Sequence, residues 1–183
     1  MRPTLQQMGI VGSRWLRGQA SQWLPLQGER SRLKGIYTLI FELGKGTDCK
    51  IGNLGSFCFN RGVYVYTGSG RGVASTSIEG RIKRHLGRRR RKFWHIDYLL
   101  SLRTCSVCAS VYSETTKDVE CRVNRRIQEL TCGVFPVNGF GSSDCSCIGH
   151  LVYLPSHDSN RALCSVMKAY RKLRLKPQAS RFN

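Results

Sequence analysis

The chain has 183 residues, 40% of them hydrophobic, which is enough for one domain with its own core. Thirty Lys and Arg against eleven Asp and Glu give a formal net charge of +19, which is typical of a protein that binds a polyanion. No run approaches the roughly 18 apolar residues that a membrane-spanning helix needs, so no membrane span is predicted. A nucleic acid is the first candidate partner, and an anionic membrane surface is the second.

Residues 1–33 form a basic leader that we interpret as a disordered or targeting segment, because it is rich in arginine and poor in acids. The nine cysteines are an odd number, and no secretory signal precedes the domain. Both features indicate reduced thiols in a cytosol-like compartment. We therefore expect a cytoplasmic, nucleoid-associated protein, or one in an organelle or nucleus if the leader is a targeting segment.

Strand patterns begin at residue 35. Residues 35–43 are rich in β-branched and aromatic side chains, residues 44–48 have turn composition, and residues 49–59 predict a second strand or hairpin arm. Residues 63–66 alternate Val and Tyr, which predicts a strand with both tyrosines on one face. Three strands joined by tight turns favour an antiparallel sheet.

A helix pattern follows the glycine-rich turn after the Val-Tyr strand. Ile78, Ile82 and Leu86 recur at helical spacing and form an apolar stripe that can pack on the sheet. Arg81 and His85 lie one step round from that stripe, at the boundary between core and solvent. The tyrosine strand, the glycine turn and this helix therefore predict an anion pocket, with phosphate as the expected ligand.

The rest of the domain continues with helical residues 93–102, a strand over residues 105–112 and a helix over residues 115–130. In the last helix, Val119, Val123 and Ile127 repeat every four residues and should face the core. Glu120 lies beside this stripe, at the rim of the core. The fold class predicted for residues 34–155 is α/β of the α+β type, with a small, mainly antiparallel sheet flanked by helices.

Two short motifs and a helix carry a family resemblance. Gly35-Ile36-Tyr37, the later Tyr66-Thr67-Gly68, and the Arg81-x-x-x-His85 helix together resemble the GIY-YIG nuclease family. The resemblance spans residues 34–154. The resemblance is strongest to a compact branch of GIY-YIG-like proteins that was first catalogued as a domain of unknown function. The WHIDYLL and GFGSSDC segments of that branch match residues 94–100 and 139–145 here.

The resemblance implies a catalytic set. Of Tyr37 and Tyr66, one would deprotonate a water while the other orients water or phosphate, and His85 would accept the proton from Tyr37. A tyrosine can act as the base only if its pKa is lowered, and the clustered positive charge of Arg81 and the nearby basic residues is one means of lowering it. Arg81 has the planar fork that matches two phosphate oxygens.

A carboxylate is also needed for a divalent metal. The family match selects Glu120 as the ligand of one Mg²⁺ or Mn²⁺, and its position at the rim of the core agrees with that role. Glu79, Glu114 and Glu129 are the alternatives.

A basic run predicts contacts with the nucleic-acid backbone that are blind to base sequence, and Phe93-Trp94 beside it offers a stacking surface. Ser69 stands where excision-repair members of the family carry lysine. The predicted nucleic-acid-binding set is Ser69, Arg84, Arg88, Arg89, Arg90, Arg91, Lys92 and His95. Asp97 and Tyr98 are interpreted as structural or supporting residues.

Structural zinc is not expected from the cysteine pattern. Cys105 and Cys108 have zinc-like spacing, but they fall on a predicted strand that would point them to opposite faces. Cys145, Cys147 and His150 could complete such a site, but no second matched Cys pair follows at the spacing of a zinc ribbon. Cys121 is interpreted as a small core residue.

Residues 156–183 form a basic C-terminal tail with a predicted helix over residues 161–175, which would pack on the domain or hold nucleic acid. The function predicted for the whole chain is a metal-dependent endonuclease with DNA, or else RNA, as its partner. The alternative is a non-catalytic nucleic-acid-binding module with the same fold. A protein-interaction or membrane-surface domain is the third hypothesis.

Overall fold

A computed structural model describes residues 33–87 and 91–182. The seven strands of these residues are β1 (Gly35–Leu43), β2 (Thr47–Ile51), β3 (Gly55–Phe59), β4 (Gly62–Gly70), β5 (Cys105–Glu114), β6 (Leu151–Leu154) and β7 (Gln178–Arg181). The four α-helices are α1 (Ile78–Leu86), α2 (His95–Leu100), α3 (Glu120–Thr131) and α4 (Ser159–Lys172). The predicted leader over residues 1–33 lies outside these residues except for its last member, Leu33.

Five strands form one antiparallel sheet in the order β6-β4-β1-β5-β7. The long strands β1 and β4 lie at its centre, and both read as continuous buried runs because helices cover both faces. With helices on both sides of a mainly antiparallel sheet, the predicted α+β fold class is confirmed.

The two faces of the sheet bury different helices. Alternate β1 side chains such as Ile36 and Ile40 join the core formed with α3 and α4. The intervening side chains, including Tyr37 and Leu39, join the core formed with α1, α2 and the β2-β3 hairpin. This period of two follows from strand geometry, and it places Tyr37 and Tyr66 on the α1 side together.

The prediction of one sheet from the first three strands was wrong in its pairing. The segment predicted as a single arm, residues 49–59, is split by a turn over Gly52–Leu54, and β2 begins within the predicted turn at Thr47. β2 and β3 pair only with each other in a separate two-stranded sheet, while β1 pairs directly with β4. The hairpin is thus an insertion packed on the α1 face.

The helix predicted over residues 115–130 begins five residues later than expected. The Thr115 N–H donates to the Lys34 carbonyl at 3.0 Å, which extends the β1-β5 pairing beyond the strand ends. The chain is therefore still in the strand pairing at Thr115, and α3 starts at Glu120. Val123 and Ile127 face the core as predicted, and Val119 is buried just before the helix.

The C-terminal residues pack into the same sheet and core as the preceding segment. The Asp158 side chain accepts from the Arg161 N–H at 2.8 Å and caps α4, whose Val166 and Tyr170 are fully buried. After Pro177 the chain forms β7, which pairs with β5. The sequence pattern did not predict β7. Among residues 33–87 and 91–182, no helix is long and apolar enough to cross a membrane.

Candidate active site

A pocket of about 300 Å³ opens where the end of β4, the helix α1 and the first turn of α3 meet. Seven of the residues predicted from sequence as catalytic or nucleic-acid-binding line it: Tyr37, Tyr66, Ser69, Arg81, His85, His95 and Glu120. Its other lining residues are Gly68, Phe93, Trp94, Gly141, Ser143 and Asp144. The structure therefore brings the whole predicted catalytic set to one cavity.

The two tyrosines reach the pocket from neighbouring strands. In the β1-β4 register, Tyr37 lies opposite Gly68 and Tyr66 lies opposite Leu39. A Cβ atom on Gly68 would lie only 2.8 Å from the Tyr37 hydroxyl oxygen. Glycine is therefore required at this position to make room for the Tyr37 side chain.

A buried polar chain starts at Tyr37. Its hydroxyl lies 2.8 Å from His85 Nε2, and the other ring nitrogen of His85 lies 3.6 Å from Asp97 Oδ1. The His85 ring also lies edge-on to Tyr66, with ring centroids 6.4 Å apart. The order tyrosine, histidine, carboxylate allows a proton to pass inward from the pocket.

Asp97 is fully buried, and its other oxygen is densely hydrogen-bonded. Oδ2 accepts from the Phe93 and Trp94 N–H groups at 3.0 and 2.8 Å and from Arg84 Nη2 at 2.7 Å. Burial acts to raise the pKa of Asp97, but the interactions with His85, the two N–H groups and Arg84 outweigh it and hold the pKa well below its usual range. Asp97 is thus a fixed negative charge behind His85, which agrees with its predicted supporting role.

Arg81 spans the pocket wall with one face of its side chain covered. Its guanidinium carbon lies 4.4 Å from the centre of the Trp94 ring, a cation–π contact that fixes the plane of the fork. Its Nε is buried and has no hydrogen-bond partner among residues 33–87 and 91–182. A donor left in this state favours an anionic ligand.

Positive charge does not bring the pKa of either pocket tyrosine below its ordinary value. Burial raises the pKa of Tyr37 and of Tyr66 well above the ordinary value. Arg81 lowers both values, but Glu120 and Asp97 raise them further. Both hydroxyls are therefore protonated near neutral pH.

Glu120 stands at the first turn of α3, with a partly exposed side chain that lines the pocket. Its Oε1 lies 3.0 Å from Nδ1 of the buried His150. A carboxylate held by one histidine and open to a cavity has the oxygen chemistry that Mg²⁺ and Mn²⁺ prefer. The three alternative acids from the sequence, Glu79, Glu114 and Glu129, do not line the pocket.

His95 lies in the pocket wall as the first residue of α2. Its Nδ1 accepts from the Gly141 N–H at 3.0 Å, and burial lowers the pKa of His95. Gly141 has a positive φ of 72°, and a Cβ there would lie 2.8 Å from the Tyr66 ring. His95 thus anchors the loop that passes over Tyr66, in addition to lining the cavity.

The predicted basic patch is divided by the structure. Arg88, Arg89 and Arg90 lie outside the described residues, and Arg91 and Lys92 are exposed. Arg84 is not free for a ligand, because it forms an ion pair with Asp97 and donates to the Arg91 carbonyl at 3.0 Å.

Only part of the predicted aromatic stacking surface, Phe93-Trp94, is open to a ligand. Arg81 covers one face of Trp94, while Phe93 is 72% exposed. The exposed ring at the pocket mouth is therefore Phe93.

Sequence reasoning missed the contribution of the loop over residues 139–150. This loop brings Gly141, Ser143 and Asp144 to the pocket, and Asp144 adds a second carboxylate. The signal in the sequence is the GFGSSDC segment over residues 139–145, which carries the family resemblance but does not by itself indicate a role. Its place over Tyr66 depends on contacts between residues far apart in sequence.

Comparisons with curated proteins and with solved structures found no match to this chain. One family model matches residues 36–173, from β1 through α4. The chain therefore belongs to the family described as domain of unknown function DUF123.

Proposed function

We propose that this protein is a metal-dependent endonuclease that hydrolyses phosphodiester bonds in nucleic acid, with DNA as its main substrate. The observation that carries the proposal is the meeting of Tyr37, Tyr66, Arg81 and Glu120 at one pocket, with the His85 relay behind Tyr37. These groups come from β1, β4, α1 and α3, so their convergence is a property of the tertiary fold. The resemblance to GIY-YIG nucleases supports the same chemistry.

Arg81 is the proposed phosphate-binding group. Its stacking on Trp94 fixes the guanidinium plane, and its buried Nε lacks a partner among the described residues. A planar fork can donate to two oxygens of one phosphate and stabilise the charge that develops at phosphorus in the transition state. The cavity of about 300 Å³ has room for a phosphodiester group and a water molecule.

Tyr37 is proposed to pass a proton without becoming a stable tyrosinate. As the water oxygen bonds to phosphorus, the bond from phosphorus to the leaving oxygen breaks, and that oxygen takes up a proton from solvent. The water proton moves to the Tyr37 hydroxyl oxygen, and the original hydroxyl proton moves to His85 Nε2, which later releases it to solvent. The His85 imidazolium that forms is stabilised by Asp97, whose pKa is depressed. This relay is compatible with the raised pKa of Tyr37, because the hydroxyl stays neutral before and after the transfer.

Glu120 is the proposed metal ligand, and Asp144 lies in the same cavity. One or two carboxylates with phosphate oxygens and waters are the usual surroundings of Mg²⁺ in nucleic-acid enzymes, so the residues present fit the ion. Bound there, Mg²⁺ or Mn²⁺ would stabilise the negative charge on the leaving oxygen.

The charge of the chain supports a polyanionic substrate. A formal net charge of +19 attracts nucleic acid of any sequence. The exposed Phe93 lines the pocket, and the exposed Arg91 and Lys92 directly precede it in the chain. On this proposal the chain works wherever DNA is held. That place is the cytoplasm beside the nucleoid, or an organelle or nucleus if the leader is a targeting segment.

A non-catalytic nucleic-acid-binding module is the second candidate. The observation in its favour is the raised pKa of both pocket tyrosines, which removes a ready-made base. Such a module would keep the Arg81 phosphate contact and the basic surface while hydrolysing nothing.

An assay with purified protein separates the two candidates. Supercoiled plasmid, branched DNA, single-stranded DNA and RNA are incubated with the protein, with and without Mg²⁺. If the protein is a nuclease, we expect Mg²⁺-dependent nicking that is lost in Arg81→Ala and in Glu120→Gln. Arg171→Ala, a matched change at an exposed position of α4, should keep the nicking activity.

Tight, salt-sensitive binding without nicking of any substrate would support the module and overturn the enzyme. Weak binding to every nucleic acid would overturn both candidates and leave a protein-interaction or membrane-surface domain.

A further inference from the structure

Three thiols and one imidazole meet beside the pocket, on the far side of Glu120. Cys121 comes from the first turn of α3, and Cys145, Cys147 and His150 come from the loop that precedes β6. Their sulfur and nitrogen atoms all lie within 4.8 Å of one another. Sequence reasoning expected Cys121 to be a small core residue, whereas its thiol faces this group and the residue is half-buried.

The distances within this Cys₃His cluster are those of a compact four-ligand site. Cys147 Sγ lies 3.1 Å from Cys121 Sγ and 3.0 Å from Cys145 Sγ. His150 Nε2 lies 3.5 Å from Cys121 Sγ, 3.5 Å from Cys145 Sγ and 3.0 Å from Cys147 Sγ. A zinc tetrahedron with bonds of about 2.3 Å to sulfur has edges of about 3.8 Å, so a small outward shift of each ligand would admit the ion.

His150 is oriented as a metal ligand. Its Nδ1 lies 3.0 Å from Glu120 Oε1, so the ring hydrogen on Nδ1 points to the carboxylate and the Nε2 lone pair points to the thiols. A carboxylate behind a histidine is the usual support of a zinc-bound imidazole, because it fixes the tautomer and raises the basicity of the ligand. His150 is also buried, which holds the ring in place.

The Cys₃His cluster joins two segments that share few other bonds. The Asn124 side-chain amide of α3 donates to the Gly149 carbonyl at 2.6 Å, next to His150. Residues 135–150 form neither helix nor strand. Two backbone bonds of 2.7 Å, from the Gly139 N–H to Ile148 and from the His150 N–H to Phe140, close the loop on itself, and the Thr67 N–H of β4 donates to the His150 carbonyl at 3.0 Å. A metal bonded to one α3 thiol and three loop ligands would hold the loop on the helix, with Ser143 and Asp144 at the pocket.

The ligand types select the metal. Thiolate sulfur and imidazole nitrogen in a tetrahedral arrangement suit Zn²⁺, whereas Mg²⁺ and Mn²⁺ require oxygen ligands. A disulfide accounts for the cluster less well, because Cys147 is equally close to two thiols and all three lie close to the same imidazole nitrogen. Four protein ligands leave no open position, which is typical of a structural site.

We propose that Cys121, Cys145, Cys147 and His150 bind one structural Zn²⁺, and that Glu120 positions His150 for it. This site is separate from the proposed Mg²⁺ site and does not depend on nuclease activity. It assigns to Glu120 a second contact, through Oε1, beside its role at the pocket.

The test is the metal content of the full chain purified without chelators. We expect about one zinc per chain by mass spectrometry of the metal, falling at least fivefold in Cys147→Ser. Cys164→Ser is the matched control, since this exposed thiol on α4 lies outside the cluster, and it should keep the zinc of the native protein. Replacing zinc with Co²⁺ should give sulfur-to-cobalt charge-transfer absorption and the strong visible bands of a tetrahedral site.

The cobalt spectrum of the native protein decides the matter if Cys147→Ser does not fold. Native protein that holds no zinc after anaerobic reconstitution and gives no charge-transfer band overturns the proposal. So does full zinc content in Cys147→Ser. A disulfide among Cys121, Cys145 and Cys147 in freshly reduced, zinc-treated protein, detected by peptide mass mapping, would overturn it as well.

Discussion

At the scale of single residues, the candidate site depends on a polar chain that is buried almost completely. Tyr37, His85 and Asp97 are at most 2% exposed. Tyr37 and Asp97 both contact His85, and Asp97 also accepts from the backbone of the turn before α2. Buried polar groups are costly unless such partners are present, so this chain fixes the position of each member. Geometry of this kind suits proton transfer over a single route.

Replacing Asp97 by asparagine should destabilise the protein at neutral pH. The change removes a buried charge that pairs with Arg84 and accepts two backbone N–H bonds, at a cost of about 2–4 kcal/mol. The folded pKa of Asp97 is depressed, so its contribution is present above the unfolded value of about 4 and is lost as pH falls through the folded value. The difference in the free energy of unfolding between the native protein and Asp97→Asn, measured by urea unfolding, should therefore become smaller below about pH 4.

The control for this prediction is Asp118→Asn. Asp118 forms an exposed ion pair with Arg71 at 3.0 Å, so its loss should cost no more than about 0.5 kcal/mol. Equal unfolding free energies of Asp97→Asn and the native protein at pH 7 would contradict the account of the buried chain.

The sequence predicted most of the pocket but not the groups whose positions depend on the irregular loop before β6. The two tyrosines, Arg81 and Glu120 could be found because the family motifs and the helical period mark them. Asp144 and Cys121 could not, since their places depend on an irregular loop folding against α3. The sequence predicted a lowered pKa for the base tyrosine because the basic residues are visible in it. The burial of both tyrosines, which raises the pKa and outweighs Arg81, is not visible in a sequence.

At the scale of elements, the site is organised by the central pair of strands. Alternation in β4 correctly placed its tyrosines on one face, and the same period in β1 places Tyr37 beside them. Strand pairing was less predictable, because β1 pairs with β4 across a hairpin that could equally have joined the sheet. The Thr115 bond to Lys34, which extends the β1-β5 pairing past Glu114, is likewise a contact between distant residues.

Substituting Gly68 by alanine should disturb the site through β4. The added Cβ would lie 2.8 Å from the Tyr37 hydroxyl oxygen, so Tyr37 must move away from His85 or the strands must separate. We expect a stability loss of about 1–3 kcal/mol and a nicking rate reduced at least tenfold, measured by thermal unfolding and plasmid assay.

Gly46→Ala is the matched control for Gly68→Ala. Gly46 lies in the exposed turn before β2, and a Cβ there would meet its nearest atom at an ordinary 3.5 Å. A Gly68→Ala protein with the native melting temperature and nicking rate would show that the close approach of Tyr37 to β4 is not needed.

At the scale of the whole molecule, charge and fold point to the same kind of ligand. Acids are outnumbered almost three to one by bases, and the few acids of the site are paired or gathered at the pocket. The overall charge could be predicted from composition alone, but the positions of the basic residues that are free to bind a ligand could not. Arg84 was predicted to bind nucleic acid, whereas it forms an ion pair with Asp97 inside the protein.

Nucleic-acid binding should weaken steeply with salt. If the basic surface neutralises about six phosphates, affinity for a labelled DNA duplex should fall on the order of 10³-fold between 50 and 200 mM salt. Fluorescence anisotropy with Ca²⁺ in place of Mg²⁺ measures this without cleavage. A duplex with an uncharged peptide backbone is the control and should bind weakly at both salt concentrations. A change of less than tenfold for DNA would contradict binding through the phosphate backbone.

The most direct test of the nuclease site is the single-turnover rate of DNA nicking by Tyr37→Phe, with DNA affinity measured in parallel. Phenylalanine keeps the buried ring but removes the hydroxyl that lies 2.8 Å from His85 Nε2. The proposed proton relay predicts a nicking rate reduced by about 10²-fold or more, with little change in DNA affinity. Tyr112→Phe is the control, because it removes a hydroxyl that is bonded to Gln178 outside the pocket, and it should keep the native rate. Nicking by Tyr37→Phe at the native rate would contradict the relay.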